Sequence, residues 1–314
     1  MPSLNERAVR IADELAADAA GLGIAVSQVG GARLLDCGVK APGGLRAGLG
    51  MTRVCLAGLG EVAILLGDDA SLHCPRVQVI SDQPLLACLA SQYAGWQLSA
   101  GKYFAMGSGP MRAAYGKEKL FDDIPGREKP PVAVGVLETG KLPTEEVVEY
   151  IAERVKLPAK QLTLLAARTA SLAGGVQVVA RSLELALHKL HELKFDLKQI
   201  VSGMGLAPLP PPAADDFAAM GRTNDAILYG GRVALWVNAD DAALAEVGPK
   251  VPSNSSAEYG ALFGELFAKY KDFYKIDPLL FSPAEVAFCN LRSGRTLAFG
   301  RMNLEALRRA FGIQ

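Results

Sequence analysis

Acid–base residue types cluster in "GGVQVVARSLELALHKLHEL", Gly174 to Leu193. At about 100° per residue, Gln177, Arg181, Glu184, His188 and His191 fall on one stripe of a helix. Val176, Val179, Ala180, Leu183, Ala186, Leu187 and Leu190 form an apolar face beside it. Val178 and Leu185 lie on the stripe's other side, so apolar residues wall it on both flanks. A freely solvated face has no need of such walls.

The stripe supports three chemistries. Arg181 and Glu184 stand at i, i+3 and can form a surface ion pair, which contributes little. Enclosed, the same pair has a different use. Burial raises a carboxylate's pKa and a neighbouring cation lowers it, which tunes Glu184 for general-base work. Glu184, His188 and His191, at i, i+4 and i+7, are also metal-ligand types at usable spacing. They include two of the chain's 3 histidines, although cations equally suit a helix C-terminus.

Two more patterns carry chemistry. "GLGEVA", with Gly58 and Gly60, matches G-x-G-x-x-A after an apolar run, and Asp82 stands where a ribose-binding acid would, as in an NAD(P)-binding oxidoreductase. Gly67 interrupts the segment between them, leaving little room for a crossover helix. A second "AGLG" at 47–50 suggests turn glycines instead. Ser91, Gln92 and Tyr93 in "DQPLLACLASQYAGW", and Gly107 and Ser108 in "AMGSGP", are the other polar clusters in apolar surroundings. The glycine loop either offers backbone N–H groups to an anion at a helix start or simply turns the chain.

The elements that must position these groups read as a mixed α/β (α+β) fold. Residues 4–21 form an amphipathic helix and "IAVSQVGGARLLDCGV" a hairpin. "TRVCLAGLGEVAILLG" begins as a strand, and "RVQVIS" is a buried-type strand. Asp82 is a candidate cap for a helix over "QPLLACLASQYAGW". Residues 77–116 and 132–192 share one order: strand, helix, strand, glycine loop, helix. This predicts an N-terminal α/β part over 1–125 and a C-terminal one over 126–314. "GLAPLPPPAADDFAAMGRTNDAILYGG" reads as irregular, because its prolines suit neither a helix interior nor a central strand. "RVALWVNADD" is a strand, "YGALFGELFAKYKDFYKI" a helix, and a short helix runs from Leu304.

Bulk properties exclude several classes. Half of the 314 residues are hydrophobic, which argues against disorder, and 33 basic residues balance 33 acidic ones. That balance gives no footprint for nucleic acid or an anionic membrane. The 5 cysteines, at 37, 55, 74, 88 and 289, form no C-x-x-C pair. The pattern suits reduced thiols in a cytoplasmic protein. The N-terminus lacks a signal-peptide pattern and no apolar run is long enough to span a membrane. The generous apolar fraction hints at subunit association.

Several long blocks resemble methenyltetrahydromethanopterin cyclohydrolases: "DQPLLACLASQYAGWQL", "FAMGSGPMRA", "TASLAGGVQVVARSLELALHKL", "APLPPPAADDFAAMGRTNDAILYGG", "VPSNSSAEYG" and "DFYKIDPLLFSPAEV". The likeness runs from near residue 36 to the C-terminus and is weak before residue 35 and over 117–131. It implies two similar, intertwined parts with the substrate in a cleft between them, assembled as a homotrimer. It also implies a cytoplasmic enzyme of one-carbon metabolism, in methanogenesis or formaldehyde oxidation, with neither cofactor nor metal. The reaction implied is reversible hydrolysis of the methenyl bridge of a tetrahydromethanopterin-type pterin to the formyl form. By the same resemblance Arg181 and Glu184 act on the attacking water, and Ser91, Gln92 and Tyr93 face the reacting carbon. A pterin edge is an array of donors, which makes Asp215, Asp216, Asn224 and Asp225 candidates to read it. Arg222 or Lys275 would meet the anionic tail.

Overall fold

The computed structural model describes residues 3–67, 72–271 and 275–313. Its strands are β1 (Ala25–Val29), β2 (Ala32–Gly38), β3 (Glu61–Leu65), β4 (Arg76–Ser81), β5 (Trp96–Ala100), β6 (Tyr103–Ser108), β7 (Ala133–Glu138), β8 (Leu162–Ala167), β9 (Ile200–Pro208), β10 (Arg232–Val237), β11 (Glu285–Asn290) and β12 (Thr296–Gly300). The α-helices are α1 (Leu4–Ala17), α2 (Ala19–Leu22), α3 (Leu45–Cys55), α4 (Met111–Tyr115), α5 (Leu120–Asp123), α6 (Glu145–Val155), α7 (Leu172–Val179), α8 (Ser182–Glu192), α9 (Asp216–Gly230), α10 (Asp241–Val247), α11 (Phe263–Tyr270) and α12 (Leu304–Phe311). A π-helix spans Leu85–Gln92. The mixed α/β class read from the sequence is what the chain adopts.

The chain divides into two compact units: residues 1–61 with 85–177, and residues 62–84 with 178–314. A single division near 125 does not describe it. Such a cut would fall between β6 and β7, which pair from Met106 opposite Glu138 to Ser108 opposite Val136.

The first unit holds a sheet in the order β1-β2-β8-β7-β6-β5. Its three central strands β2, β8 and β7 are parallel. Strand β8, "LTLLAA", is buried at every residue, as parallel strands covered on both faces must be. Alternate residues feed two cores. Leu35, Val136 and Leu165 pack with Ile11 and Leu15 of α1 and Met51 and Val54 of α3. Leu34, Leu137 and Leu164 pack with Val147, Val148 and Ile151 of α6. A capping box starts α1: Glu6 N–H donates to Ser3 Oγ (3.1 Å) and Ser3 N–H to Glu6 Oε2 (2.8 Å).

The second unit holds the order β12-β11-β10-β9-β4-β3. Strands β10 and β11 are parallel; β9 runs antiparallel to β4 and β10, and β12 to β11. Its strands alternate buried and part-exposed residues, for example Val233, Leu235 and Val237 against Arg232, Ala234 and Trp236. Helix α8 packs on β9 and β10.

Three local expectations differ. Residues 45–55 are helical, where a strand was expected to begin at Thr52. Ala47, Met51, Val54 and Cys55 are buried at helical spacing. Most of the proline-rich stretch is ordered: the prolines end at Pro212, Asp215 Oδ1 accepts from Ala218 N–H (2.8 Å), and α9 follows. Asp82 caps no helix; Ser81 Oγ accepts from Gln83 N–H (3.1 Å) instead, and Trp96 begins a strand.

Candidate active site

The strongest candidate begins on β9. Gly203 and Gly205 of this strand lie under the first turn of α8. A Cβ at Gly205 would stand 2.5 Å from Ser182 Oγ and 2.8 Å from the Leu183 nitrogen; one at Gly203 would meet Leu183 Cδ1 at 2.7 Å. Bare backbone there lets the helix start seat directly on the sheet. The expected continuous helix is interrupted at Ala180 and Arg181. Arg181 N–H donates to the Val178 carbonyl (3.1 Å), and the Arg181 carbonyl accepts from Leu185 N–H (2.9 Å). Arg181 is thus the residue that opens α8.

Glu184 follows in the first turn, where helix N–H groups favour negative charge. Arg181 Nη1 lies 3.7 Å from Glu184 Oε2. Arg181 is 6% exposed and Glu184 1%. Of the two flanking residues, Val178 is buried at the end of α7 and Leu185 half-buried on α8, on either side of the break. A buried carboxylate needs its partner, since removing one member of such a pair leaves an uncompensated charge. A carboxylate beside a guanidinium is the residue pairing that proton transfer from a water calls for.

The metal reading loses its geometry. His188 and His191 are half-buried with ring centroids 6.4 Å apart, and His191 Nδ1 stands 3.4 Å from Glu192 Oε1. Among the described residues no group of three His, Cys, Asp or Glu side chains is placed to hold a metal ion. The dinucleotide reading fails on topology. That fingerprint needs a strand before its glycines and a helix after. Gly58 and Gly60 instead follow helix α3 and precede strand β3. Gly58 has φ +64°, a turn glycine.

Ser91, Gln92 and Tyr93 close the π-helix in the first unit. Tyr93 N–H donates to the Cys88 carbonyl (2.8 Å), the i to i−5 bond that widens the helix. Ser91 and Gln92 are fully buried and Tyr93 half-buried. The Ser91 hydroxyl donates to the Cys55 carbonyl (2.5 Å), and the Ser91 carbonyl accepts from Gly109 N–H (2.9 Å). Ser108 Oγ donates to the Val136 carbonyl (3.2 Å) and lies 3.5 Å from Cys55 Sγ. Gly107 is buried within β6, so the 107–108 pair belongs to this packed region.

The other candidates lie in the second unit. Asp225 is 2% exposed, and its Oδ1 accepts from Phe263 N–H (2.9 Å). Burial pushes its carboxyl up to about 7; the Phe263 N–H opposes the rise, nearby Glu265 adds to it and Arg309 opposes it. Asn224 donates to the Met220 carbonyl (2.8 Å) on its own helix. Arg222 ties α9 to the proline loop through the Pro211 (3.2 Å) and Pro212 (2.6 Å) carbonyls. Asp215 is the α9 cap, Asp216 its first residue, and Lys275 is exposed.

Two buried cations carried no expectation. Lys189 donates to the Leu279 carbonyl and to Ser255 Oγ (3.4 Å). Burial lowers its amine to about 8, against an opposing pull from Asp277. Arg112, fully buried, is held by Glu118. Neither shows periodic spacing to its partners: those of Lys189 lie 66 and 90 residues away, and Glu118 lies 6 residues after Arg112.

The second unit therefore presents a candidate acid–base site: a carboxylate enclosed beside a guanidinium, on a helix seated on glycine backbone. Comparison with known proteins shows the family. The family described as Cyclohydrolase (MCH) matches residues 3–311, and the chain belongs to it. A methenyltetrahydromethanopterin cyclohydrolase of Rhodopirellula baltica is 45% identical, covering 99% of this chain and 96% of its own length. The enzyme of that name from Methylobacterium organophilum is 47% identical over 96% and 95%. That from Methanospirillum hungatei JF-1 is 42% identical over 99% of both.

Proposed function

We propose that this chain reversibly hydrolyses methenyl-tetrahydromethanopterin to formyl-tetrahydromethanopterin, with Glu184 as general base. The observation that carries this is the enclosed Arg181–Glu184 pair in a member of the cyclohydrolase family.

The chemistry asks little of the protein. The methenyl carbon sits between two nitrogens as a cationic amidinium and is already electrophilic. Water adds to it, forming a C–O bond, while Glu184 takes one water proton. The C–N bond to one ring nitrogen then breaks with its electron pair going to that nitrogen. The added hydroxyl loses its proton to become the formyl carbonyl, and the nitrogen gains one. The net change is cation plus water to neutral formyl compound plus one proton, which Glu184 returns to solvent. Arg181 holds the Glu184 carboxylate in place and contacts the incoming oxygen, a task its planar fork suits.

Substrate contacts belong to the same proposal. Ser91, Gln92 and Tyr93 face the reacting carbon with Gly107 and Ser108 behind them. Asp225 reads the pterin donors, flanked by Asn224, and Lys275 or Arg222 meets the anionic tail. Asp225 is the best supported of this group, because a buried carboxylate with one hydrogen bond described retains acceptor capacity for a ring edge. Arg222 and Asn224 have donors committed to carbonyls, so they shape the site more than they bind. A homotrimer in the cytoplasm, working without metal or cofactor, completes the proposal. Among the described residues no helix is long and apolar enough to cross a membrane.

The test is loss of the methenyl chromophore on adding purified protein. Glu184→Gln should abolish that loss while substrate still binds by calorimetry. Full turnover in that variant would remove Glu184 from the mechanism.

A further inference from the structure

We propose that Arg112 is a positioning residue that sets the Ser91–Tyr93 segment in its working shape. The inference rests on the reading above that this segment meets the substrate.

A π-helix ends with carbonyls that its own backbone cannot satisfy, and such widened turns concentrate at functional sites. Here one side chain bridges that end, sharing the Ser91 carbonyl with the Gly109 N–H (2.9 Å). Arg112 Nη1 donates to the Leu89 carbonyl (2.9 Å) and the Ser91 carbonyl (3.4 Å). The same guanidinium lies 4.9 Å from the Tyr93 ring centre and 5.6 Å from that of Phe121. Its remaining edge is fixed by Glu118, with Nε to Oε1 at 2.9 Å and Nη2 to Oε2 at 2.5 Å.

Arg112 is fully buried, and its carboxylate partner's side chain is 16% exposed. Burying a guanidinium is costly, and an apolar residue of like volume would fill the space with no such cost. What an apolar residue cannot do is fix two carbonyls and an aromatic ring relative to one another. A planar fork of five donors can, and a lysine ammonium cannot reach all of them. Arg112 therefore determines where the Ser91 and Gln92 backbone and the Tyr93 ring stand. It touches no reacting atom in this scheme and acts through the segment it holds.

The full-length Arg112→Lys, Glu118→Gln and Gln92→Ala variants, assayed by the methenyl chromophore and normalised to folded protein, test this. For Arg112→Lys a fall in kcat of about 10- to 100-fold is expected, the range for a slight misplacement of reacting groups. The pH profile should not move, since the base is untouched. Glu118→Gln should lower kcat in the same direction by less. A merely structural role would lower the melting temperature and leave kcat per folded molecule alone. Values within about threefold of the parent for both variants would overturn the proposal. If Arg112→Lys does not fold, Glu118→Gln decides by itself. Gln92→Ala separates the two failures. If it leaves kcat and KM unchanged, the segment is not at the substrate and the proposal falls with that reading. If it impairs turnover while the other two do not, only the positioning role falls.

Discussion

At the scale of single residues, two carboxylates carry the predictions. Removing a general base typically lowers turnover by about 10²- to 10⁴-fold, so Glu184→Gln should lose kcat on that scale with KM little changed. Arg181→Lys keeps the charge but not the fork; its loss in kcat should be smaller, and steady-state kinetics separates the two. Asp225 gives a pH prediction. Its folded pKa, near 7, is raised above the ordinary aspartate value of 3.8. The folded state therefore favours the protonated form. Stability relative to an uncharged side chain is full below about pH 4 and is lost as pH rises through 7. Asp225→Asn keeps an acceptor for Phe263 N–H. Its melting temperature should gain on the parent's between pH 5 and 8, by a free energy of up to about 3 kcal/mol, roughly two pKa units at ~1.4 kcal/mol each. Unchanged spacing of the two melting curves across that range would refute this. Arg181 and Glu184 were legible as a candidate pair because i, i+3 spacing is a local fact. Arg112 was not, because the carbonyls it holds lie 23 and 21 residues upstream.

At the scale of elements, what positions Glu184 is a strand left bare at Gly203 and Gly205. Gly205→Ala forces a Cβ against Ser182 Oγ and the Leu183 nitrogen. Overpacking of this kind costs about 1–3 kcal/mol, so thermal unfolding should shift down and kcat should fall as α8 lifts. Gly264→Ala is the control: nothing lies within 4 Å of its added methyl, and both readings should stay near the parent's. Sequence periodicity identified β10 and α6 because burial repeats at one fixed period in each, and β8 showed as a short apolar run of the kind covered on both faces. It missed the interruption at Ala180–Arg181, since a wheel drawn through Gly174–Leu193 assumes one axis. It also took the α9 stretch as irregular: the prolines dominate composition, yet the Asp215 cap three residues after the last of them sets the structure.

At the scale of the whole molecule, the mixed class was readable from alternating strand and helix signals, whereas the division into units was not. Each unit takes residues from separate parts of the chain, and no local composition marks a contact made at long range. A fragment of residues 126–314 should consequently fail to fold as a C-terminal domain. It would keep β7 and β8 but lose β6 on one side and β2 on the other. Poor amide dispersion by NMR and no cooperative melt are expected, and a cooperative transition would contradict this. The same threading bears on how the protein is made. Strand β2 emerges from the ribosome early and must wait for β8: Arg33 meets its partner Thr163 only after 130 further residues. At about 5–20 residues per second that is roughly 6 to 26 s of synthesis. Throughout it, the edge of "ARLLDCG" that will pair with β8 has no strand beside it. The nascent chain carries that open strand edge for the whole interval, and slowed translation would lengthen its exposure.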